Sequence, residues 1–121
     1  MKYIIAIDQG TTSSRAILFD EKCNIINVKQ MEISLSYRKN DWVEQNADEI
    51  WQSVFHVVKE IILSSSVKVE DIVSIGITNQ RETTILWDKN TGLPVHPAIV
   101  WQSRQSQNIC DELIKNGYQE L

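Results

Sequence analysis

Cysteine, proline, glycine and positive charge are all sparse in this chain of 121 residues. The two cysteines, Cys23 and Cys110, lack metal-ligand spacing and are too few for a disulfide framework. Free thiols in a reducing, cytoplasmic setting are the expectation. Four glycines and two prolines leave no room for collagen-like repeats, and no low-complexity or linker-like tract interrupts the chain. Lysine and arginine total 12 against 16 aspartates and glutamates, a net charge of −4. That balance rules out a strongly basic binder of nucleic acid or anionic membrane, so no nucleic-acid partner is expected. No apolar run approaches the roughly 18 residues of a membrane span, so no membrane insertion is expected. The run from Tyr3 to Ile7 is too short for a signal-peptide core and has no small-residue cleavage site behind it. What remains, 42% hydrophobic and 23% charged residues, is ordinary globular composition. A domain of this size buries about two-thirds of its unfolded surface, enough for a core without staples.

The hydrophobic pattern orders the chain as three strands, a helix, further strands and a second helix. Tyr3–Ile7 is continuously apolar, the pattern of a strand covered on both faces. Gln9–Ser13 breaks it with glycine and small hydroxyl residues, and Ala16–Phe19 resumes it, which reads as an antiparallel hairpin. After a turn at Asp20–Asn24, Ile25–Leu35 reads as a third strand. Its apolar phase slips by one residue, which predicts a bulge or bend near Lys29–Gln30. Ser36–Gln45 is a polar connection. Asn46 then caps a helix, with Glu49 placed for a capping box. Ala47, Ile50, Trp51, Val54, Val58, Ile61 and Ile62 form its apolar stripe, ending near Ser64–Ser66. Ile72–Ile77 is a further strand. Thr83–Trp87 and Pro97–Trp101 read as strands on either side of a turn at Asp88–Gly92. The last element, about Ser103–Asn116, is helical, with Gly117 as its C-terminal cap. Strand and helix alternate in this way in an α/β mixed sheet with helices packed on it.

Chemistry concentrates in Ile7-Asp8-Gln9-Gly10-Thr11-Thr12-Ser13-Ser14-Arg15. Gly10 permits positive φ and close approach of the backbone to a ligand. Amides around Thr11–Ser13 can then converge into an anion-binding concavity. The hydroxyls of Thr11, Thr12 and Ser13 add donors, and Arg15 adds a permanent cation suited to phosphate oxygens. Asp8 would repel phosphate unless Mg²⁺ lay between them, since Mg²⁺ accepts carboxylate, phosphate and water oxygens together. The same residues also suit a plain Gly-Thr hairpin turn in which Asp8 caps local amides. The Gly-Lys-Thr/Ser of a Walker loop is absent, and no helix begins at the turn. Taken alone, Arg81-Glu82 reads as a solvated charge pair and Trp101 as core. Trp51 and Trp87 read as packing, and His56 and His96 have no partner at catalytic or metal spacing. A two-metal nuclease would need several converging carboxylates; Asp8 is a candidate for one, but Arg81, the hydroxyl-rich turn and the acidic balance argue against that class.

Four ordered segments together are more specific. Ala6–Ala16 resembles the opening signature of the glycerol kinases, within the FGGY carbohydrate kinase family. Trp42-Val43-Glu44-Gln45 with Glu49-Ile50-Trp51 resembles the next family block, although Gln45 stands where His is common. Gly76–Thr84 and Ala98–Arg104 resemble two further blocks. The resemblance implies an actin-like (ribonuclease-H-like) ATPase domain whose mixed sheet starts with a three-strand antiparallel meander. Residues 1–121 would be the N-terminal part of its first domain, incomplete and without an internal boundary, since family enzymes are several times longer. The resemblance also implies transfer of the γ-phosphoryl group of ATP to glycerol, with Mg²⁺. Thr11, Thr12, Ser13 and Arg15 match the phosphate-binding positions, and Asp8 matches the acidic residue near Mg²⁺. Arg81, Glu82 and Trp101, with Thr11, match positions that hold glycerol. Related pentulose kinases carry Met-His in place of Arg81-Glu82. The general base is expected beyond Leu121, the isolated chain is expected to be inactive, and the complete enzyme is expected to be a cytoplasmic homo-oligomer. The alternatives are a non-catalytic binding or packing module, or a kinase for another polyol or pentulose.

Overall fold

In the computed structural model, which describes residues 1–119, the two apolar runs form β1 (Tyr3–Gln9) and β2 (Ser13–Asp20). They pair antiparallel from Tyr3 opposite Asp20 to Gln9 opposite Ser14 without a break. β3 (Ile25–Glu32) returns antiparallel to β2, completing the predicted meander. A two-residue strand, β4 (Glu44–Gln45), precedes α1 (Ala47–Ser65). One 3-10 turn at Val69–Asp71 then leads into β5 (Ile72–Asn79), which lies parallel to β1. The main sheet therefore has the order β3-β2-β1-β5. β6 (Ala98–Ile99) pairs antiparallel with β4 as a separate ribbon, and α2 (Gln107–Lys115) follows.

Ile5, Ile7, Ala16, Leu18, Val57 and Ile61 make one buried cluster between the hairpin and α1. Val54, Val58 and Ile62 pack around it, as the helix stripe predicts. Inside this layer the Ser14 and Ser53 hydroxyls meet at 2.7 Å, which satisfies two polar groups that water does not reach. Ile61 is fully buried. Ile61→Ala should therefore lower unfolding free energy by roughly 2–5 kcal/mol in a denaturant titration of the full-length protein. A loss within error of zero would contradict this core.

Asn46 caps α1 as expected, its side chain accepting from the N–H groups of Asp48 and Glu49. Glu49 does not complete a capping box. Its carboxylate instead accepts the Ser34 N–H at 2.9 Å and ties the chain after β3 to the helix. Ser66 ends α1 in the left-handed region, at φ 55°. The turn at Asp88 forms because its carboxylate accepts the N–H groups of Asn90 and Thr91, with Gly92 at φ 72°. The Thr91 N–H first, and the Asn90 N–H second, hold the Asp88 carboxyl below its ordinary 3.8. The folded carboxyl is the stronger acid, so this turn is stabilised above the unfolded value and loses that support as pH falls through the folded one. The Asn90 and Thr91 amide resonances should shift with a midpoint below 3.8, and a midpoint above it would contradict the bonds.

Several expectations are corrected. β1 is not covered on both faces: Ile5 and Ile7 are buried while Ile4 is 45% exposed. α1 lies chiefly over β2 and β3, and among the described residues no element packs on the other face of the sheet. β3 ends at Glu32 and its one irregularity falls opposite Leu18/Phe19, beside Ile26; pairing runs unbroken across Lys29–Gln30, and the phase slip instead leaves Ile26 and Val28, 45% and 44% exposed, on the face away from α1. The predicted strands at 83–87 and 97–101 reduce to β6 and single bridges, Thr84 with Ile99 and Trp87 with Pro94. The Ser36–Gln45 connection contains β4, and α2 starts at Gln107 rather than Ser103. Trp51 and Trp87 stand on the surface, 62% and 63% exposed, instead of packing.

Candidate functional site

β1 and β5 run parallel and end side by side at Gln9 and Asn79, so the loops that follow them share one end of the sheet. Strand ends of this kind are where open α/β sheets place ligands. The first loop, Gly10–Thr12, is closed by the Gly10 N–H donating to the Ser13 carbonyl at 2.8 Å. A Cβ on Gly10 would lie 3.0 Å from that oxygen. Glycine is needed here for close approach. The positive φ predicted for it is not adopted, since only Gly92 and Gly117 among the glycines have one.

Every carbonyl in this loop is engaged. Gly10 O accepts the Gln9 side-chain amide at 2.7 Å, Thr11 O accepts the Gln45 amide, and Thr12 O accepts the Ile33 N–H at 2.9 Å. The Thr11 hydroxyl accepts the Trp101 indole N–H at 2.9 Å. By contrast, the N–H groups of Thr11 and Thr12 and the Thr12 hydroxyl have no partner among the described residues. Two adjacent unpaired N–H groups on a tight turn form a donor surface for an anion. The Ser13 hydroxyl accepts the Gln30 amide at 3.1 Å.

The second loop carries Arg81 and Glu82 after β5. Thr11, Asn79, Gln80, Arg81, Glu82 and Trp101 line one concavity of about 480 Å³. Thus Thr11, Arg81, Glu82 and Trp101, which lie up to 90 residues apart, come together. Arg81 and Glu82 are exposed and form no ion pair among the described residues. Glu82 adopts φ 60°, a left-handed conformation uncommon for a residue with a side chain. Asp8 and Arg15 do not line this concavity. They face each other across β1 and β2, on the side of the sheet away from α1. Asp8 is exposed, and the described residues contain no cluster of three or more His, Cys, Asp or Glu able to hold a metal alone. A single carboxylate suits Mg²⁺ only where phosphate and water oxygens supply the other ligands.

Three residues of this site were missed by sequence reasoning. Gln9, Gln45 and Gln80 are buried, and the Gln80 amide donates to Gln45 at 2.8 Å and to Gln9 at 3.5 Å across the floor of the two loops. Neither periodicity nor local spacing links them; each lies inside one of the family-like segments, but nothing in the sequence marks it as buried or as a partner of the other two. Glu44 was missed in the same way. Its side chain is 2% exposed, one oxygen meeting Arg38 Nε at 3.1 Å. The other oxygen has no hydrogen-bond partner and lies 3.7 Å from His96 Nδ1, at the edge of a second cavity of about 400 Å³. His96, read from sequence as unpartnered, thus stands beside a buried carboxylate.

Residues 3–121 match the N-terminal domain of the FGGY family of carbohydrate kinases. Among curated proteins, the glycerol kinase of Brevibacillus brevis is 57% identical over 119 residues, 98% of this chain and 24% of its own length. Glycerol kinase 2 of Thermotoga maritima is 56% identical over 121 residues, 100% of this chain and again 24% of its own. The chain therefore spans about a quarter of the curated relatives it matches. Among solved structures, Plasmodium falciparum glycerol kinase with ADP superposes with a TM-score of 0.86 at 32% identity, covering 98% of this chain and 24% of that one. A gluconate kinase from Lactobacillus acidophilus gives a TM-score of 0.88 at 20% identity over 97% of this chain and 23% of its own, a likeness of fold.

Proposed function

This chain belongs to the FGGY family of carbohydrate kinases, with the actin-like ATPase fold of its members, and from that premise we propose that it is the N-terminal part of an ATP-dependent glycerol kinase. The observation that carries the reading is the meeting of Thr11, Arg81, Glu82 and Trp101 in one concavity beside two unpaired loop amides. Residues 1–121 form part of the first actin-like domain, with no boundary inside them.

The reaction moves the γ-phosphoryl group of ATP to the 3-hydroxyl of glycerol, giving sn-glycerol 3-phosphate and ADP. Glycerol hydroxyls both donate and accept. The Arg81 guanidinium supplies paired N–H donors to two of them, and the Glu82 carboxylate accepts from one. Trp101 has its N–H committed to Thr11, so its ring face is what remains to cover the carbon backbone and exclude water. Thr11 and Thr12 bring their free N–H groups, Thr12 and Ser13 their hydroxyls, and Arg15 its cation to the phosphates. Asp8 would hold Mg²⁺, whose remaining ligands would be phosphate and water oxygens, and the metal would neutralise phosphate charge. Phosphoryl transfer of this kind depends on positioning and charge stabilisation more than on covalent chemistry from the protein. The group that takes the hydroxyl proton lies beyond Leu121, so the isolated chain binds without turnover. The full-length enzyme is a cytoplasmic homo-oligomer.

A substrate panel tests this reading. With ATP and Mg²⁺, the full-length protein should use glycerol roughly 100-fold more efficiently than xylulose or gluconate, since Arg81 and Glu82 pair with glycerol's hydroxyl pattern. A preference for either of the other two substrates would overturn it.

A further inference from the structure

The loop amides are aimed from behind, by glutamines. A trans peptide points its C=O and N–H in opposite directions. The carbonyl of Gly10 shares a peptide with the Thr11 N–H, and the carbonyl of Thr11 shares one with the Thr12 N–H. Gln9 holds the first carbonyl and Gln45 the second. Fixing each oxygen inward turns the unpaired N–H of the same peptide outward.

Gln45 also fixes the loop against its neighbour. The Thr11 carbonyl can only accept, so Gln45 must present Nε2 to it and Oε1 to Gln80. Gln80 donates to that Oε1 at 2.8 Å and accepts the Thr83 hydroxyl at 3.0 Å on its own Oε1. A one-way chain of donors therefore runs from Thr83 through Gln80 and Gln45 to Thr11. Its two ends stand in the two loops that flank the concavity, one of them bearing Arg81 and Glu82. Gln45 is 1% exposed and Gln80 is 9% exposed, so water does not replace a broken link.

From this geometry we infer that Gln45 is a positioning residue for phosphoryl transfer: it aims the Thr12 N–H and sets the phosphate loop in register with the Arg81–Glu82 loop. The inference rests on the kinase reading above. The side chain at position 45 must offer one donor and one acceptor at once. Glutamine does so, and so does a neutral imidazole. A carboxylate offers no donor to Thr11, and leucine offers neither group.

The test compares Gln45→Glu, Gln45→Leu and Gln45→His in the full-length protein, following ADP and phosphorylated product separately. The Glu variant has glutamine's shape, so it keeps the question open even where the Leu variant does not fold. Both Glu and Leu should lower kcat by about 30- to 100-fold, as small misplacements of reacting groups do. Their KM for glycerol should change by less than about threefold, because Arg81 and Glu82 stay in place. ADP released without phosphorylated product should rise, since the donor is no longer registered with the acceptor. The His variant should keep kcat within about threefold of the parent. A purely structural role would lower Tm and leave both kcat and coupling unchanged in folded protein. That result, or a loss in kcat that His does not restore, overturns the inference. Should the parent turn over a pentulose instead of glycerol, the substrate assignment fails, while the same ratios measured on the pentulose still decide the role of Gln45.

Discussion

Arg81→Ala in the full-length protein should cut kcat/KM for glycerol by roughly 2–4 kcal/mol of transition-state stabilisation, on the order of 30- to 1,000-fold. The guanidinium is exposed, has no ion-pair partner among the described residues, and lines the concavity with Glu82 and Trp101. Its donors are thus available to substrate and are not already committed to the fold. Truncation removes two directed charge-assisted hydrogen bonds and leaves the substrate hydroxyls facing an apolar methyl group. The KM for ATP should stay close to that of the parent, because the donor surface at Thr11 and Thr12 is built on the other loop. Tm should hold as well, since no fold contact depends on the guanidinium. Unchanged kcat and KM for glycerol would remove Arg81 from the site.

Gly10→Ala should act on the opposite substrate. A Cβ there would sit 3.0 Å from the Ser13 carbonyl oxygen, which belongs to the backbone and has no rotamer through which to move away. The strand ends must separate, weakening the 2.8 Å bond from the Gly10 N–H to the same oxygen. Overpacking of this kind costs about 1–3 kcal/mol of stability. It also splays the Thr11 and Thr12 N–H groups, so the KM for ATP should rise about tenfold or more, as expected when aligned donors to an anion are lost. Glycerol KM should move much less, because Arg81 and Glu82 are fixed by β5 and Thr83. An alanine variant with parental ATP kinetics would show that the loop's closeness is incidental to nucleotide binding.

What the sequence made legible was local. The β1–β2 hairpin follows from two apolar runs around Gly10, and α1 follows from the Asn46 cap and the 3.6-residue stripe through Val54, Val58 and Ile61. Each signal lies within a few residues of its effect. The ribbon of β4 and β6 was not legible, because two-residue strands have no period and Glu44 and Gln45 are polar yet buried. The surroundings of Glu44 and Gln45 are assembled from segments far apart in the chain. The phase slip in β3 was visible but misread, since an uncovered sheet face lets Ile26 and Val28 stay exposed while the pairing continues without a bulge. Continuous hydrophobicity in β1 signals two faces that favour burial, whereas α1 covers one of them in the described residues.

The candidate site divided along the same line. Thr11, Arg81, Glu82 and Trp101 entered through motif resemblance, and the structure adds that they meet at one concavity. The Gln9–Gln45–Gln80 floor was invisible because a buried amide looks like a solvated one until its partners, 35 and 71 residues away, are folded beside it. The unfavourable backbone at Glu82 is equally silent in sequence.

Phosphorus NMR on the full-length protein with ATP, Mg²⁺ and glycerol addresses the joint cleft most directly. One sn-glycerol 3-phosphate should appear for each ADP formed. ADP accompanied by inorganic phosphate alone, with glycerol left unmodified, would contradict a shared site for donor and acceptor.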